Sequence, residues 1–335
     1  MRKGWRMGLL AFLAAMLAAC SPASVLNLAV PRTGYHRVRD LAYGADPRQK
    51  LDLYIPDAPP PKMPVMLFFY GGSWESGSKD FYLALGQAFA SKGIMVAIAD
   101  YRLYPQVRYP AFLEDSARAF AFIRANTARY GGDPTRLFLA GHSAGAYNAV
   151  MLAADKSYLQ KAGADVSQIC GVIGIAGPYN FLPLVDKNLI TIFGGATRRE
   201  TQPITYIDGK RPPMLLAAGT DDDTVLPRNS SDLAKKLKSF GSPAELIAYA
   251  GVGHIGIILS LAPGFRNRTT LRTDILRFVE SRASRCANPA GGQLIVDRHM
   301  IGHGRPRLIG QVVQIATRKI RRVEKADYHA HYQSQ

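Results

Sequence analysis

Only three cysteines, at positions 20, 170 and 286, occur in 335 residues. A small scaffold held together by disulfides is therefore excluded, and folding must rest on a hydrophobic core. Acids are also scarce, with 25 Asp and Glu against 42 Lys and Arg, a formal charge of +17. Residues 1–19 hold Arg2, Lys3 and Arg6 and no acid, while residues 287–335 hold eight basic side chains against Asp297, Glu324 and Asp327, which leaves +9 between them. The surplus is spread, not gathered into a reading motif, so no nucleic-acid partner is expected. Long apolar runs are missing after the first twenty residues, which excludes a polytopic membrane protein. No internal repeat is present, which excludes solenoids and propellers. What remains is a chain with 47% hydrophobic and 20% charged residues, enough to bury a sizeable core in one large α/β fold.

The first twenty residues read as an address. Arg2, Lys3 and Arg6 precede the apolar run Met7–Met16, a charged region and short hydrophobic stretch too brief to span a bilayer. The segment ends in Leu17-Ala18-Ala19-Cys20 followed by Ser21-Pro22, which resembles the lipobox of bacterial lipoproteins. That resemblance implies acylation of Cys20, membrane attachment through the lipid, and residence in the cell envelope, facing the periplasm or exterior. A simple secretory signal is the plainer alternative. Residues 20–35 then read as a tether, 36–286 as the folded domain, and 287–335 as a basic tail.

Between about His36 and Ser284, short apolar runs alternate with longer amphipathic segments, the order of an α/β fold with a largely parallel sheet. Candidate strands are residues 50–55, 65–70, 94–99, 136–140, 171–176, 214–218 and 245–249, and candidate helices 81–91, 112–129, 144–154, 230–240 and 271–283. Gly131-Gly132-Asp133-Pro134 and Gly241-Ser242-Pro243 punctuate the joins.

The run Arg136–Ala140 leads straight into Gly141-His142-Ser143-Ala144-Gly145 and a helical stretch, the strand, turn and helix that a G-x-S-x-G nucleophile requires. A serine hydroxyl is weakly nucleophilic and needs a base. Of the seven histidines, His142 lies inside the turn, His36 precedes the first strand read here, and His299, His303, His329 and His331 fall in the tail. His254 remains, in a loop flanked by glycines. An imidazole in that role needs a carboxylate. Asp221, Asp222 and Asp223 compete for it after the strand 214–218.

The order Ser143, Asp, His254 resembles the α/β-hydrolase superfamily, particularly bacterial esterases near the hormone-sensitive-lipase and kynurenine-formamidase-like groups. Their G-x-x-D-x-x-V pattern is matched by Gly219, Asp222 and Val225, so the resemblance selects Asp222 as the third member. Tyr70-Gly71-Gly72-Ser73-Trp74 is similar to their H-G-G-x-W loop, with Tyr70 in place of His. That implies an oxyanion hole from the main-chain N–H groups of Gly71, Gly72 and Ala144. Asp100–Pro105 resembles the Y-R-L-A-P-E segment, with Tyr104 for Ala; the expectation there is that Arg102 either pairs with Asp115 to brace the oxyanion loop or forms a simple surface ion pair. The resemblance covers about residues 36–284 and implies an eight-stranded, mostly parallel sheet with helices on both faces, and no cofactor or metal.

Residues 177–213 form a stretch too long for a simple loop. In this fold an insertion there covers the nucleophile, which makes Phe181, Leu184 and Phe193 candidates either for a substrate pocket or for plain lid core. Trp74 at the cleft mouth and Tyr101 are large enough either to contact substrate or to anchor the sheet edge. The expected activity is hydrolysis of small to medium acyl esters through an acyl-enzyme, with amidase, formamidase or peptidase chemistry, or a silent binding lipoprotein, as alternatives. Topology brings Cys170 and Cys286 to one edge of the sheet, where either a bridge or two free thiols is possible. In the tail, Leu308, Ile309, Val312, Val313, Ala316, Ile320 and Val323 recur at helical spacing beside basic residues, a pattern compatible with an anionic lipid surface.

Overall fold

The computed structural model describes residue 27 and residues 29–286. The segment expected to act as a signal, Cys20 and the basic tail lie outside the described residues. The chain runs β1 (Tyr35–Ala42), β2 (Lys50–Pro56), β3 (Met63–Phe69), α1 (Leu83–Ala90), β4 (Met95–Ala99), α2 (Ala111–Asn126), β5 (Gly132–His142), α3 (Ala144–Ala154), α4 (Lys156–Lys161), β6 (Ile169–Ile175), α5 (Lys187–Phe193), β7 (Met214–Gly219), α6 (Arg228–Ser239), β8 (Ala244–Tyr249), α7 (His254–Leu259) and α8 (Leu271–Cys286). One eight-stranded sheet has the order β1-β2-β4-β3-β5-β6-β7-β8. β1 and β2, and β2 and β4, pair antiparallel; every other neighbouring pair is parallel.

The central strands are legible because both faces are covered, which turns them into continuous apolar runs. Met66, Leu67, Phe68 and Phe69 of β3 and Leu137, Phe138, Leu139 and Ala140 of β5 are all buried. α1 and α8 pack on one face and α2, α3 and α4 on the other. α3 is buried along its whole length, as befits a helix lying over the middle of the sheet.

Strand β1 departs from the sequence reading. Tyr35 is its only buried residue, and His36, Arg37, Arg39 and Asp40 give it the polar look of a loop. Its ladder also slips between Val38 and Leu41, where Asp40 takes a φ of 56°. An edge strand needs little apolar surface to pair, so its signal in the sequence is weak. The ordered body also reaches back into the expected tether, since Val30 is buried and Tyr35 opens β1. The helices α4, α5 and α7, each seven residues or fewer, are too short to show a periodicity of their own.

Cys170 and Cys286 are joined, with Cα atoms 5.6 Å apart. β6 begins beside Cys170 and α8 ends at Cys286, both at the edge where the parallel strands start. The bridge spans 116 residues, for which loop entropy gives at most about 5 kcal/mol. Replacing Cys286 by Ser should lower the thermal midpoint by roughly 5–15 °C in a calorimetric scan without reductant. The same protein scanned with reductant should match wild type with reductant.

Candidate active site

The C-terminal ends of β3, β5, β6, β7 and β8 bring the site together. Ser143 links β5 to α3 with φ 55° and ψ −124°, a conformation side chains other than glycine rarely take. Close packing allows only glycine two residues before and two residues after it. A Cβ on Gly141 would sit 2.2 Å from the Gly145 carbonyl, and one on Gly145 would sit 2.0 Å from that of Phe69. The Ser143 N–H donates to the Ile175 carbonyl at 2.9 Å, so the turn is clamped between β3 and β6.

Ser143 Oγ lies 2.9 Å from His254 Nε2, and His254 Nδ1 lies 2.8 Å from Asp222 Oδ2. Thr224 N–H and Val225 N–H donate to the other Asp222 oxygen at 3.1 and 2.8 Å. Asp222 is 3% exposed, whereas Asp221 and Asp223 are exposed and hold Thr220 and Thr224 hydroxyls. The carboxylate thus keeps the Nδ1 proton in place, leaving the Nε2 lone pair to accept from the serine hydroxyl. Such a chain can take a proton from Ser143 and steady the resulting imidazolium.

The loop after β3 is bent sharply, with Gly72, Ser73 and Trp74 all at positive φ. Its surroundings over-determine it. Trp74 Nε1 donates to Asn148 Oδ1 at 3.0 Å, and the Trp74 carbonyl accepts from Tyr104 N–H at 2.8 Å. Gly71 packs directly against the nucleophile, since a Cβ there would lie 2.9 Å from that of Ser143. Its N–H, however, donates to Tyr82 Oη at 3.3 Å, which directs it away from the expected hole. Ala144 N–H stands at the first position of α3, where no preceding helical carbonyl is available.

Tyr70, standing where the esterase loop has His, fills that space with its own network. Arg48 Nη2 donates to its hydroxyl at 2.6 Å, and Tyr101 Oη donates to its carbonyl at 2.8 Å. Burial, with the Asp100 carboxylate nearby, drives its phenol pKa far up. Tyr101 is fully buried and stacks on Tyr70, centroids 4.8 Å apart. It braces the loop from beneath and does not line a pocket. Arg102 meets Asp115 through Nε at 2.8 Å and Nη2 at 2.7 Å. Because Asp115 has no exposed side-chain surface and also accepts from Gln49, this pair is interior and not a surface bridge.

Of the other pocket candidates, Trp74, Leu184 and Phe193 are buried, and Phe181 is half-buried. Phe193 packs edge-on to Trp74 at 4.8 Å, and Phe181 stacks parallel to it at 6.5 Å. The insertion is tied to the body: Tyr147 and Tyr109 donate to the carbonyls of Thr201 and Glu200, and Tyr109 N–H donates to that of Ile192. Leu184 and Phe193 are therefore core of the insertion, Trp74 anchors the loop after β3 against them, and Phe181 keeps part of its surface exposed.

A family model, BD-FAE, matches residues 51–237, more than half of the chain. The chain belongs to the BD-FAE family. Among its relatives, a probable isoprenylcysteine alpha-carbonyl methylesterase of Arabidopsis thaliana is 32% identical over 66% of this chain and 51% of its own length. Esterase LipC of Mycobacterium tuberculosis is 29% identical over 65% of this chain and 59% of its own. The chain thus spans about half the length of the first of these. A C6-C4 SN3 inhibited esterase B of Lactobacillus rhamnosis shares the fold, with a TM-score of 0.68 at 19% identity, over 86% of this chain and 99% of that one. Within this BD-FAE chain, Ser143 and Asp222 fall inside the matched stretch and His254 beyond it. Among the described residues no cluster of three or more His, Cys, Asp or Glu is placed to hold a metal.

Although it lies inside the nucleophile turn, the His142 ring packs on that of His254, centroids 4.8 Å apart, and its Nε2–H donates to the His254 carbonyl at 3.1 Å. Only the fold could reveal this, because 112 residues separate the two. Burial, reinforced by the charge of His254, lowers the His142 pKa from 6.5 to about 3, so the ring stays neutral. Between those values the unfolded chain binds the extra proton, so stability is full above pH 6.5 and is lost as pH falls toward 3. A His142→Leu variant should flatten that acid limb in urea unfolding from pH 7 to 4. At pH 7 it should lose about 1–3 kcal/mol, because the His254 carbonyl is left unpaired.

Proposed function

We propose that the protein is a serine carboxylesterase acting on small to medium acyl esters, and the observation carrying this reading is the hydrogen-bonded series Ser143, His254, Asp222. Ser143 Oγ attacks the ester carbonyl as its proton passes to His254 Nε2. Asp222, held by two backbone N–H groups, stabilises the imidazolium formed. The main-chain N–H groups of Gly72 and Ala144 receive the negative charge that develops on the carbonyl oxygen, a contribution of about 2.7–4 kcal/mol for each donor in comparable sites. His254 returns the proton to the departing alcohol. A water, deprotonated by the same imidazole, then releases the acid. Family membership and the esterase names of the relatives support the reaction class.

The lipobox-like run at Cys20 and the Cys170–Cys286 bridge together favour an exported lipoprotein, since disulfides persist outside the reducing cytoplasm. Attachment would come through acyl chains. Among the described residues no helix is long and apolar enough to cross a membrane.

Ser143→Ala should abolish ester hydrolysis and labelling by a fluorophosphonate probe while keeping the wild-type thermal midpoint. Asp222→Asn should lower kcat by about 10⁴-fold, whereas Asp221→Asn and Asp223→Asn should stay within a few-fold of wild type. Labelling of the Ser143→Ala protein at the wild-type rate would contradict the assignment.

A further inference from the structure

Large apolar side chains are exposed at six described positions, and four of them, Phe81, Val185, Leu226 and Ile255, follow β3, β6, β7 and β8 respectively. All four lie beyond the C-terminal ends of these strands, the edge at which Ser143 stands. Val185 is 88% exposed. Leu226 comes directly after Val225, whose N–H holds Asp222; Ile255 follows His254; Phe81 precedes Tyr82, whose hydroxyl meets Gly71. Isolated exposed apolar residues are ordinary, but four of the six at one edge of the sheet point to a partner for that edge.

The N-terminal chain indicates the partner. Asn27 Nδ2 donates to the Asp80 carbonyl at 2.7 Å, two residues from Tyr82 and so beside the loop that packs on Ser143. From there the chain passes to Gly34, next to Ser91 just past the end of α1. The body is therefore entered from the edge that carries the nucleophile. Cys20 lies seven residues before Asn27, a reach of at most about 25 Å. A body of about 260 residues measures roughly 45 Å across.

We propose that the edge bearing Ser143 docks on the bilayer that holds the acyl chains of Cys20, so that apolar esters dissolved in that bilayer pass directly to the nucleophile. This rests on the lipoprotein reading above. The short tether holds this edge toward the membrane and the disulfide edge away from it. Asp221 and Asp223 are exposed in the Leu226 loop, so the contact is apolar and does not depend on anionic head groups.

The test uses the exported, acylated protein in vesicles of phosphatidylcholine brominated along its chains, with a bimane fluorophore attached through Leu226→Cys or, on the opposite edge, Ser167→Cys. Quenching at position 226 at least threefold stronger than at 167, unchanged by 0.5 M salt, is expected. Equal quenching at both positions, or none at 226, in protein whose N-terminal peptide carries acyl chains by mass overturns the docking and leaves the anchor standing. A peptide without acyl chains removes the premise and the proposal with it. None of these readouts depends on ester hydrolysis, so a failure of the esterase reading is seen separately. The triple variant Phe81→Ser, Val185→Ser, Leu226→Ser should cleave a bilayer-dissolved diacylglycerol at least tenfold more slowly than wild type and a water-soluble acetate ester within twofold of it. Equal losses on both esters count against the proposal. A detergent-solubilised dimer that the triple variant dissociates would assign the face to a second copy of the chain instead.

Discussion

The close approach of three strand ends at Ser143 is the constraint on which the site depends. Residue 143 holds a φ of 55° because its N–H is fixed to β6 and because Gly145 lies against the last carbonyl of β3. Strain of that kind costs on the order of 1–3 kcal/mol and survives only where the surroundings leave no alternative. The sheet supplies those surroundings: β3, β5 and β6 are its parallel, fully covered centre. The hydroxyl is thereby presented at the strand ends, where the loops after β7 and β8 deliver Asp222 and His254. Core packing and the geometry of the site are in this sense one property of the chain.

A second set of interactions secures the loop after β3 from the side of β1 and β2. The Lys79 ammonium, 4% exposed, lies 3.2 Å from the fully buried Asp52 carboxylate and 2.7 Å from Asp40. Arg37 pairs with both Asp52 and Asp80. Lys79 N–H also donates to the Asp100 carboxylate at 2.8 Å, just beyond β4. Buried pairs of this kind add little net stability over an apolar packing, but removing one member is costly because the other is left uncompensated. Here they fix where the segment carrying Tyr82 lies, and Tyr82 in turn takes the Gly71 N–H. The polar edge strand β1, weak as a sequence signal, supplies Arg37 and Asp40 to this network.

How far the sequence could be read follows from what each element needs. Strands β3 to β7 are apolar because they are covered on both faces, so burial and sequence carry the same information. Strand β1 is paired along one side and wet on the other, and its polar residues conceal it. Ser143 and His254 were legible from local context and elimination, whereas choosing Asp222 over its two neighbours required the resemblance to a family. In the structure the choice follows from burial and from the two N–H groups that grip its other oxygen. Three features had no signal in the sequence: the packing of His142 on His254, the bond from Gly71 to Tyr82, and the position of Tyr101 beneath Tyr70. Each depends on residues far apart in the chain that the sheet brings together, and an aromatic residue in a loop looks the same whether it meets a ligand or the core.

In the proposed reaction Ser143 carries the acyl group between substrate and water. Rapid mixing with a slowly hydrolysed ester, an acid quench within the first turnover and mass analysis of the proteolytic peptides test it directly. The expected result is an increase equal to the acyl group on the peptide containing Ser143, rising and decaying at rates that match turnover. Steady hydrolysis with no acylated peptide, or with the acyl group on another residue, would contradict it.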